Sequence, residues 1–226
     1  MIKRGQCFLS VIPVRSEPKS QSEIVTQLLF GERYEVVEAV EEWTKIVTEY
    51  DSYPGYISSN QFHNVEFEQG VVQSSELIHN YQGIQVPLGG ELPNALSLQP
   101  SQNRLLDTAS LFYGSPYLWG GRTFMGIDCS GFVQVVHKAH NIVLPRDASQ
   151  QYLRGEEVSL DSAEYGDLVF FENAEGKIHH VGIYGGRGDI IHASGSVRVD
   201  RLTEQGIEHS ESGKVTHKLA GIRRLL

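Results

Sequence analysis

Cysteine is scarce in this chain, and its scarcity excludes two classes of protein. Only Cys7 and Cys129 occur among the 226 residues. Two cysteines cannot build the disulfide framework of a small secreted scaffold, and they do not form a C-x-x-C pair for a zinc site. The chain also lacks the H-E-x-x-H motif of zinc peptidases. We therefore expect neither a metal nor any other cofactor.

Basic clusters and long apolar runs are also missing. The formal net charge is −9, whereas sequence-independent nucleic-acid binding needs clustered Lys and Arg. No run of about twenty apolar residues could span a bilayer. The first ten residues include two basic ones but no sustained apolar core, which does not fit a signal peptide. We expect a monomer without nucleic-acid partner or membrane insertion. Its location would be cytoplasmic as written, or periplasmic or secreted if a leader was removed.

The N-terminal part of the chain alternates short apolar runs with turns and shows no helical period. Many short strands of this kind indicate a small barrel or sandwich. The order of an apolar run, Gly31, Trp43 and a Gly-Tyr-Ile segment at 55–57 resembles the bacterial SH3-like domain. We therefore predict an SH3-like domain over residues 1–68. Residues 69–100 are predicted to be a connector that packs against a domain.

Residues 101–226 have a different character, with helical segments first and strands afterwards. Helices are predicted at 105–112 and 132–139. The predicted strands cover residues 167–171, 180–184, 189–193 and 219–223. This order predicts an α+β domain in which helices pack on an antiparallel sheet.

Cys129 stands at the turn that opens the second helical segment. Gly126 and Gly131 flank it and permit a tight turn and close approach of a substrate carbonyl. The free amides of a helix N-terminus and a nearby imidazolium both stabilise a thiolate. The Cys129 amide could also donate to a developing oxyanion. We therefore interpret Cys129 as a candidate nucleophile, although a lone buried cysteine is more often inert packing.

Two histidines adjoin strand-like runs downstream of Cys129. His180 precedes an apolar run and is the candidate general base, whereas His179 should point to the opposite face of the same strand. His192 lies 192 − 180 = 12 residues further on, across a glycine-rich turn. That length suits adjacent antiparallel strands, so His192 could orient and polarise His180. A thiol at a helix start followed by strand histidines is the layout of a papain-like thiol hydrolase.

Four segments of residues 101–226 are distinctive, namely Asp-Cys-Ser-Gly-Phe at 128–132, Gly-Asp-Leu-Val-Phe-Phe at 166–171, His-Val-Gly-Ile-Tyr at 180–184 and Ile-His-Ala at 191–193. Together they resemble the NlpC family of bacterial cell-wall peptidases. The resemblance implies cleavage beside γ-D-glutamate in peptidoglycan stem peptides by Cys129, His180 and His192. It also implies that Tyr117, which matches a family tyrosine near the nucleophile, binds the substrate or stabilises the oxyanion.

A narrower resemblance, to the γ-D-glutamyl-L-diamino acid endopeptidases, rests on the SH3-like domain and on the segments at 128–130 and 145–151. It implies that the substrate peptide begins with a free L-Ala. An ammonium needs carboxylate and phenol partners in a closed pocket, where a blocked amine would leave them unpaired. Asp128 is the carboxylate nearest the nucleophile, and Glu17 and Tyr53 in SH3-like loops would complete the pocket.

The remaining predicted contacts involve the other end of the substrate. Ser130 and Ser149 are expected to hold the D-glutamate carboxylate, Asp147 could brace the loop, and Arg146 could bind the carboxylate equally well. Three alternatives stay open, namely an N-acetylmuramoyl-L-alanine amidase, an acyltransferase, and a wall-binding module without catalysis. The sequence does not distinguish lysine from diaminopimelate at the third substrate position.

Overall fold

Two antiparallel sheets hold most of the chain together. The computed structural model describes residues 3–64, 71–73, 76–93, 105–210 and 212–225. The predicted domain boundaries near residues 68 and 100 lie outside these described residues. Within the described ranges, every helix is too short or too polar to cross a membrane.

The first sheet has six short strands in the order β1-β4-β5-β6-β2-β3. These strands are Lys3–Gln6 (β1), Val11–Arg15 (β2), Ile24–Leu29 (β3), Arg33–Val40 (β4), Trp43–Thr48 (β5) and Pro54–Ser58 (β6). A 3₁₀ turn at Ser59–Gln61 follows β6. Alternate residues point inward because strand side chains change face at each position, and Ile12, Val14, Ile46 and Ile57 are fully buried in its core. This part is the small all-β domain that the sequence predicted.

Short paired strands occupy the described part of the predicted connector. Val71–Gln73 (β7) pairs with Glu91–Pro93 (β10), and Ile78–Tyr81 (β8) pairs with Ile84–Pro87 (β9). Val86 and Leu92 pack with Phe30, which directly follows β3. This segment therefore packs on the first sheet.

The second sheet has seven strands in the order β13-β19-β14-β15-β16-β17-β18. They are Glu156–Val158 (β13), Leu168–Glu172 (β14), Ile178–Gly186 (β15), Asp189–Ser194 (β16), Ser196–Thr203 (β17), Gly206–Glu208 (β18) and Val215–Arg224 (β19). Since β18 also pairs with β19, the strands from β14 to β19 close on themselves. A 3₁₀ turn at Leu160–Ser162 links β13 to β14.

Three helices and a two-stranded ladder precede or flank the second sheet. They are Leu105–Ser110 (α1), Arg122–Thr123 (β11), Gly126–Ile127 (β12), Cys129–Ala139 (α2) and Ala148–Gln151 (α3). Every residue of α2 is buried. Its Phe132 and Val136 pack in one cluster with Val181 and Ile183 of β15. The predicted α+β fold class is thus confirmed, and α2 begins at Cys129 itself.

A buried ion cluster fixes the first sheet against the second part of the chain. Glu32, only 2% exposed, accepts hydrogen bonds from both terminal nitrogens of Arg122 at 2.8 and 2.9 Å and from Lys138 Nζ at 2.6 Å. Lys138 also contacts Glu91 at 2.9 Å. Burial alone would raise the pKa of Glu32, but Arg122 and Lys138 lower it to about 2. Charges buried in this way must stay paired, so the cluster holds the two sheets in one arrangement.

Candidate active site

A cleft of about 630 Å³ lies where the first sheet meets the second part of the chain. The first part contributes Glu23 and Tyr53 to its walls, and the second contributes Cys129 and His180. Each of the two sheets therefore supplies part of one site.

Cys129 is the first residue of α2, and Asp128 caps that helix by accepting the Gly131 amide hydrogen at 2.7 Å. Burial, followed by the negative charge of Asp128, raises the pKa of Cys129 to about 12. The backbone amides of Val181 and Ser130 act on the sulfur in the opposite sense and lower its pKa. The helix terminus therefore assists the thiolate as expected, but burial outweighs it. The Val181 contact also places the sulfur beside β15.

His180 and His192 form the pair that the strand spacing predicted. His192 is opposite Gly182 in the ladder between β15 and β16, and His192 Nδ1 lies 2.8 Å from His180 Nε2. Burial and then the neighbouring imidazoles lower the pKa of His180 well below its usual value. At neutral pH the buried histidine and the buried Cys129 are therefore both uncharged. A thiolate and an imidazolium stabilise each other, so this pair can ionise together when one proton moves between them.

Asp200 extends the histidine pair, and the sequence interpretation missed it. Its side chain is fully buried and accepts from His192 Nε2 at 3.0 Å, Arg198 Nε at 2.8 Å and the Ser210 amide at 2.9 Å. It lies on β17, where Arg198 is the cross-strand partner of His192 and Asp200 is two residues further along the same face. The alternation of Val-Arg-Val-Asp at 197–200 was the available signal.

Two further histidines adjoin His180. The ring of His217 stacks on that of His180, with centroids 4.2 Å apart and planes 28° apart. His179 also lines the cleft, so the prediction that it points to the opposite face was wrong. A β-bulge explains the difference, because Phe171 pairs with His180 while the next residue pairs with Ile178. Within the described part of the chain, no three His, Cys, Asp or Glu side chains are arranged to hold a metal ion.

Asp128 reaches the cleft, but its carboxylate is already occupied. It accepts from the Gly120 amide at 2.8 Å, the Gly131 amide at 2.7 Å, both terminal nitrogens of Arg146 at 3.0 and 2.5 Å, and Ser130 Oγ at 3.3 Å. Arg146, only 2% exposed, also donates to Ser130 Oγ at 2.9 Å. Asp128 therefore caps α2 and anchors Arg146 at the edge of the cleft, and its predicted contact with a substrate amine stays a prediction.

The predicted contribution of Glu17 is corrected. Glu17 is 58% exposed in the turn after β2, where it pairs with Lys19, and it does not line the cleft. The carboxylate that the first sheet brings to the cleft belongs to Glu23, which accepts a hydrogen bond from the indole N–H of Trp119. Glu23 directly precedes β3, the strand next to the second part of the chain, whereas the turn holding Glu17 projects into solvent.

The other predicted residues come together at the cleft. Tyr53 Oη donates to Asp147 Oδ1 at 3.2 Å, which joins the first sheet to the start of α3. Ser149 lines the same wall. Tyr117 lines the cleft with its side chain partly exposed, and desolvation followed by the nearby Cys129 raises the pKa of its phenol. Of the predicted site residues, Glu17 and His192 do not line the cleft; Glu17 lies in solvent, whereas His192 is fully buried behind His180, 2.8 Å from its Nε2.

The two sheets belong to regions that match two different families of known domains. Residues 14–62 match the bacterial dipeptidyl-peptidase SH3 domain, and residues 114–215 match the NlpC/P60 family. A γ-D-glutamyl-L-lysine dipeptidyl-peptidase of Bacillus subtilis is 32% identical over 227 residues, which covers 80% of this chain and 77% of that protein. A protein of the same name from Bacillus cereus is 39% identical over 129 residues, covering 56% of this chain and only 37% of the relative's length.

A solved structure supports the same fold. An NlpC/P60 family protein from Bacillus cereus superimposes with a TM-score of 0.78 at 22% identity, covering 99% of both chains. With the sequence matches, it confirms the predicted papain-like fold with an N-terminal SH3-like domain, and the relatives confirm the predicted cysteine peptidase. The chain therefore belongs to the NlpC/P60 family of cysteine peptidases.

Proposed function

We propose that this enzyme hydrolyses the γ-D-glutamyl-L-diamino acid bond of peptidoglycan stem peptides that begin with a free L-Ala. One observation carries the proposal, namely that the SH3-like domain lines the cleft of Cys129 with the carboxylate of Glu23. The name of the Bacillus subtilis relative, a γ-D-glutamyl-L-lysine dipeptidyl-peptidase, supports the same bond. Action on freed peptides would suit murein peptide recycling, or cell-wall turnover if the enzyme works outside the cytoplasm. The compartment and the monomeric state stay predictions.

The free amine is proposed to bind between the SH3-like domain and α3. An ammonium has three N–H donors, and the oxygens of Glu23, Asp147 and Tyr53 supply acceptors in one cleft. Trp119 already holds Glu23 through its indole N–H, so this carboxylate is oriented before substrate arrives. An N-acetylated peptide brings one N–H, no charge and extra bulk. It would leave two carboxylates without their partner, which weakens its binding.

The D-glutamate carboxylate is proposed to bind near the nucleophile. Ser130 and Ser149 both line the cleft. Ser149 can donate its hydroxyl hydrogen, and Ser130 can do so by giving up its long hydrogen bond of 3.3 Å to Asp128. The buried Arg146 guanidinium fixes the Ser130 hydroxyl at 2.9 Å and so orients it. These contacts would align the γ-carbonyl with Cys129.

The proposed reaction proceeds through a thioester. Cys129 Sγ attacks the γ-carbonyl carbon as its proton moves to His180, and the Cys129 amide and the Tyr117 hydroxyl stabilise the oxyanion. The C–N bond then breaks, and the leaving amine takes the proton from His180. Water attacks the thioester as His180 accepts a proton, and the C–S bond then breaks as His180 returns that proton to the sulfur, which releases L-Ala-D-Glu and the free thiol. Because both residues are neutral at rest, the charges appear only as the proton moves.

The decisive test compares L-Ala-γ-D-Glu-diaminopimelate, its lysine counterpart and their N-acetylated forms. We expect cleavage of the free peptides only, and none by the Cys129→Ala variant. Glu23→Gln should raise KM for a free peptide about 10- to 100-fold, the value of one charged hydrogen bond. Glu17→Gln is the matched control, since this glutamate lies in the same domain outside the cleft, and its KM should not change.

Two outcomes would contradict parts of the proposal. Equal cleavage of free and acetylated peptides would refute the proposed amine site but would leave the proposed peptidase activity intact. No cleavage of either would refute the proposed bond and favour the muramoyl amidase, the acyltransferase or the wall-binding module.

A further inference from the structure

Asp200 ends a continuous hydrogen-bonded row that begins at the proposed base. His180 Nε2 lies 2.8 Å from His192 Nδ1, and His192 Nε2 lies 3.0 Å from Asp200 Oδ2. All three side chains are buried. We propose that Asp200 is a positioning residue that fixes the tautomers of both imidazoles and so makes Nδ1 of His180 the proton acceptor. The inference rests on the proposed roles of Cys129 and His180.

The direction of each hydrogen bond follows from the carboxylate. An ionised carboxylate can only accept, and Asp200 is held in that form. Burial would raise the pKa of Asp200, but hydrogen bonds from His192, the Ser210 amide and Arg198 bring it far below its usual range. His192 Nε2 must therefore carry its hydrogen and donate it. A neutral imidazole has one N–H, so His192 Nδ1 is an acceptor.

The tautomer of His180 follows from that of His192. The contact at 2.8 Å between the two histidines needs one hydrogen, and His192 Nδ1 has none to give. His180 Nε2 therefore donates, and the lone pair of the neutral His180 ring lies on Nδ1. When Cys129 reacts, its S–H bond breaks and an N–H bond forms at this Nδ1. His180 keeps its Nε2 hydrogen, and the resulting imidazolium is one ring away from the negative Asp200.

The opposite tautomers would disable the proposed base. If His192 carried its hydrogen on Nδ1, His180 Nε2 would accept it and His180 Nδ1 would hold a hydrogen. His180 could then take no proton from the thiol without first losing one. Neither histidine chooses between these states by itself, since each ring nitrogen can donate or accept. The carboxylate breaks this symmetry because it can never donate.

The test replaces Asp200 by asparagine and measures tautomers directly. Nitrogen-15 NMR of the histidine rings in the full chain at neutral pH should show the wild-type His180 hydrogen on Nε2. In Asp200→Asn the charge is lost and either end of the amide can face His192 Nε2, so the hydrogen of His180 should no longer be confined to Nε2 and should appear on Nδ1 as well. Iodoacetamide alkylation of Cys129, located by mass spectrometry, should slow in proportion to the fraction of His180 that carries its hydrogen on Nδ1.

Asp167→Asn is the matched control. Asp167 is also buried and accepts two hydrogen bonds from Arg224, at 2.9 and 2.8 Å, but it lines a different cavity. It should lose stability and leave both the His180 tautomer and the alkylation rate unchanged. If Asp200→Asn and Asp167→Asn changed the His180 tautomer and the alkylation rate equally, Asp200 would have only a structural role.

Two results would overturn the inference. One is a wild-type His180 with its hydrogen on Nδ1, which needs no variant to detect. The other is an unchanged tautomer in Asp200→Asn. Neither readout uses a peptide substrate, so a wild-type enzyme that failed to cleave the proposed bond would refute the proposed function without affecting this test.

Discussion

The strongest stability prediction concerns Glu32, which joins the SH3-like domain to the catalytic part. Glu32→Gln keeps the size of the side chain but removes the charge that faces Arg122 and Lys138. Lys138 would retain Glu91 as a partner at 2.9 Å, whereas the buried Arg122 would lose its ion pair with residue 32. We expect the variant to unfold more easily and to hold the SH3-like domain less firmly.

We expect Glu32→Gln to lower the free energy of unfolding by about 3 kcal/mol. Removing one partner of a buried ion pair costs about 3–5 kcal/mol because the other charge stays buried. Against the effect of burial, Arg122 and Lys138 lower the pKa of Glu32 from 4.5 to about 2. The difference between those pKa values corresponds to about 3 kcal/mol of folding free energy. Because the folded state binds the proton less readily, this contribution is present above pH 4.5 and disappears as the pH falls towards 2.

Urea unfolding at several pH values tests both the size and the sign. At pH 7 the free energy of unfolding of Glu32→Gln should be about 3 kcal/mol below that of the wild type, and the two curves should converge as the pH falls below 4.5. Glu38→Gln is the control, since Glu38 pairs with Lys45 at the surface at 3.5 Å and should change stability by less than about 1 kcal/mol. A loss at pH 7 no larger than that of the control, or a loss that stays constant down to pH 3, would refute the reasoning.

Two further predictions concern the contact between the domains. Gly120 has φ of +75°, and a side chain there would overlap the carbonyl oxygen of Ile24. Gly120→Ala should therefore lower Tm and peptidase activity, while Gly114→Ala, at a similar φ of +81° but with open space around it, should show only the smaller conformational cost of about 1 kcal/mol. Tyr53→Phe removes the hydrogen bond to Asp147, and steady-state kinetics should show KM for the free peptide rising about tenfold with kcat nearly unchanged.

Local patterns predicted most of the fold. The alternation over Trp43–Thr48 is matched by the alternating burial of that strand, and the apolar run after Cys129 is a fully buried helix. The strand Ser196–Thr203 was not predicted, because three of its eight residues are charged. Asp200 is buried there with hydrogen bonds from Arg198 on the same strand, from His192 on the adjacent strand and from the Ser210 amide. The contacts of His192 and Ser210 with Asp200 form only in the folded sheet and are invisible in a local window.

The candidate site also has a part that the sequence predicted and a part that it did not. Cys129, His180 and His192 lie in segments whose own sequence sets their position, so the sequence was sufficient to bring them together. The choice between Glu17 and Glu23 depended on how the SH3-like domain sits on the catalytic part. The contact that settles it joins Glu23 to Trp119, which are 96 residues apart. Turn and strand signals carry no information about such a distant contact.

The proposed catalytic residues and the proposed amine site depend on different parts of the fold. The proposed nucleophile and base, Cys129 and His180, depend on α2 and β15, which pack together in one core. The proposed amine site depends on Glu23, whose position relative to Cys129 is fixed by contacts between the domains. Loosening those contacts through Glu32→Gln should therefore raise KM for the free peptide while Cys129 is alkylated at its usual rate. If alkylation slowed as well, the SH3-like domain would be supporting the proposed nucleophile itself, and catalysis and substrate selectivity would not depend on separate parts of the fold.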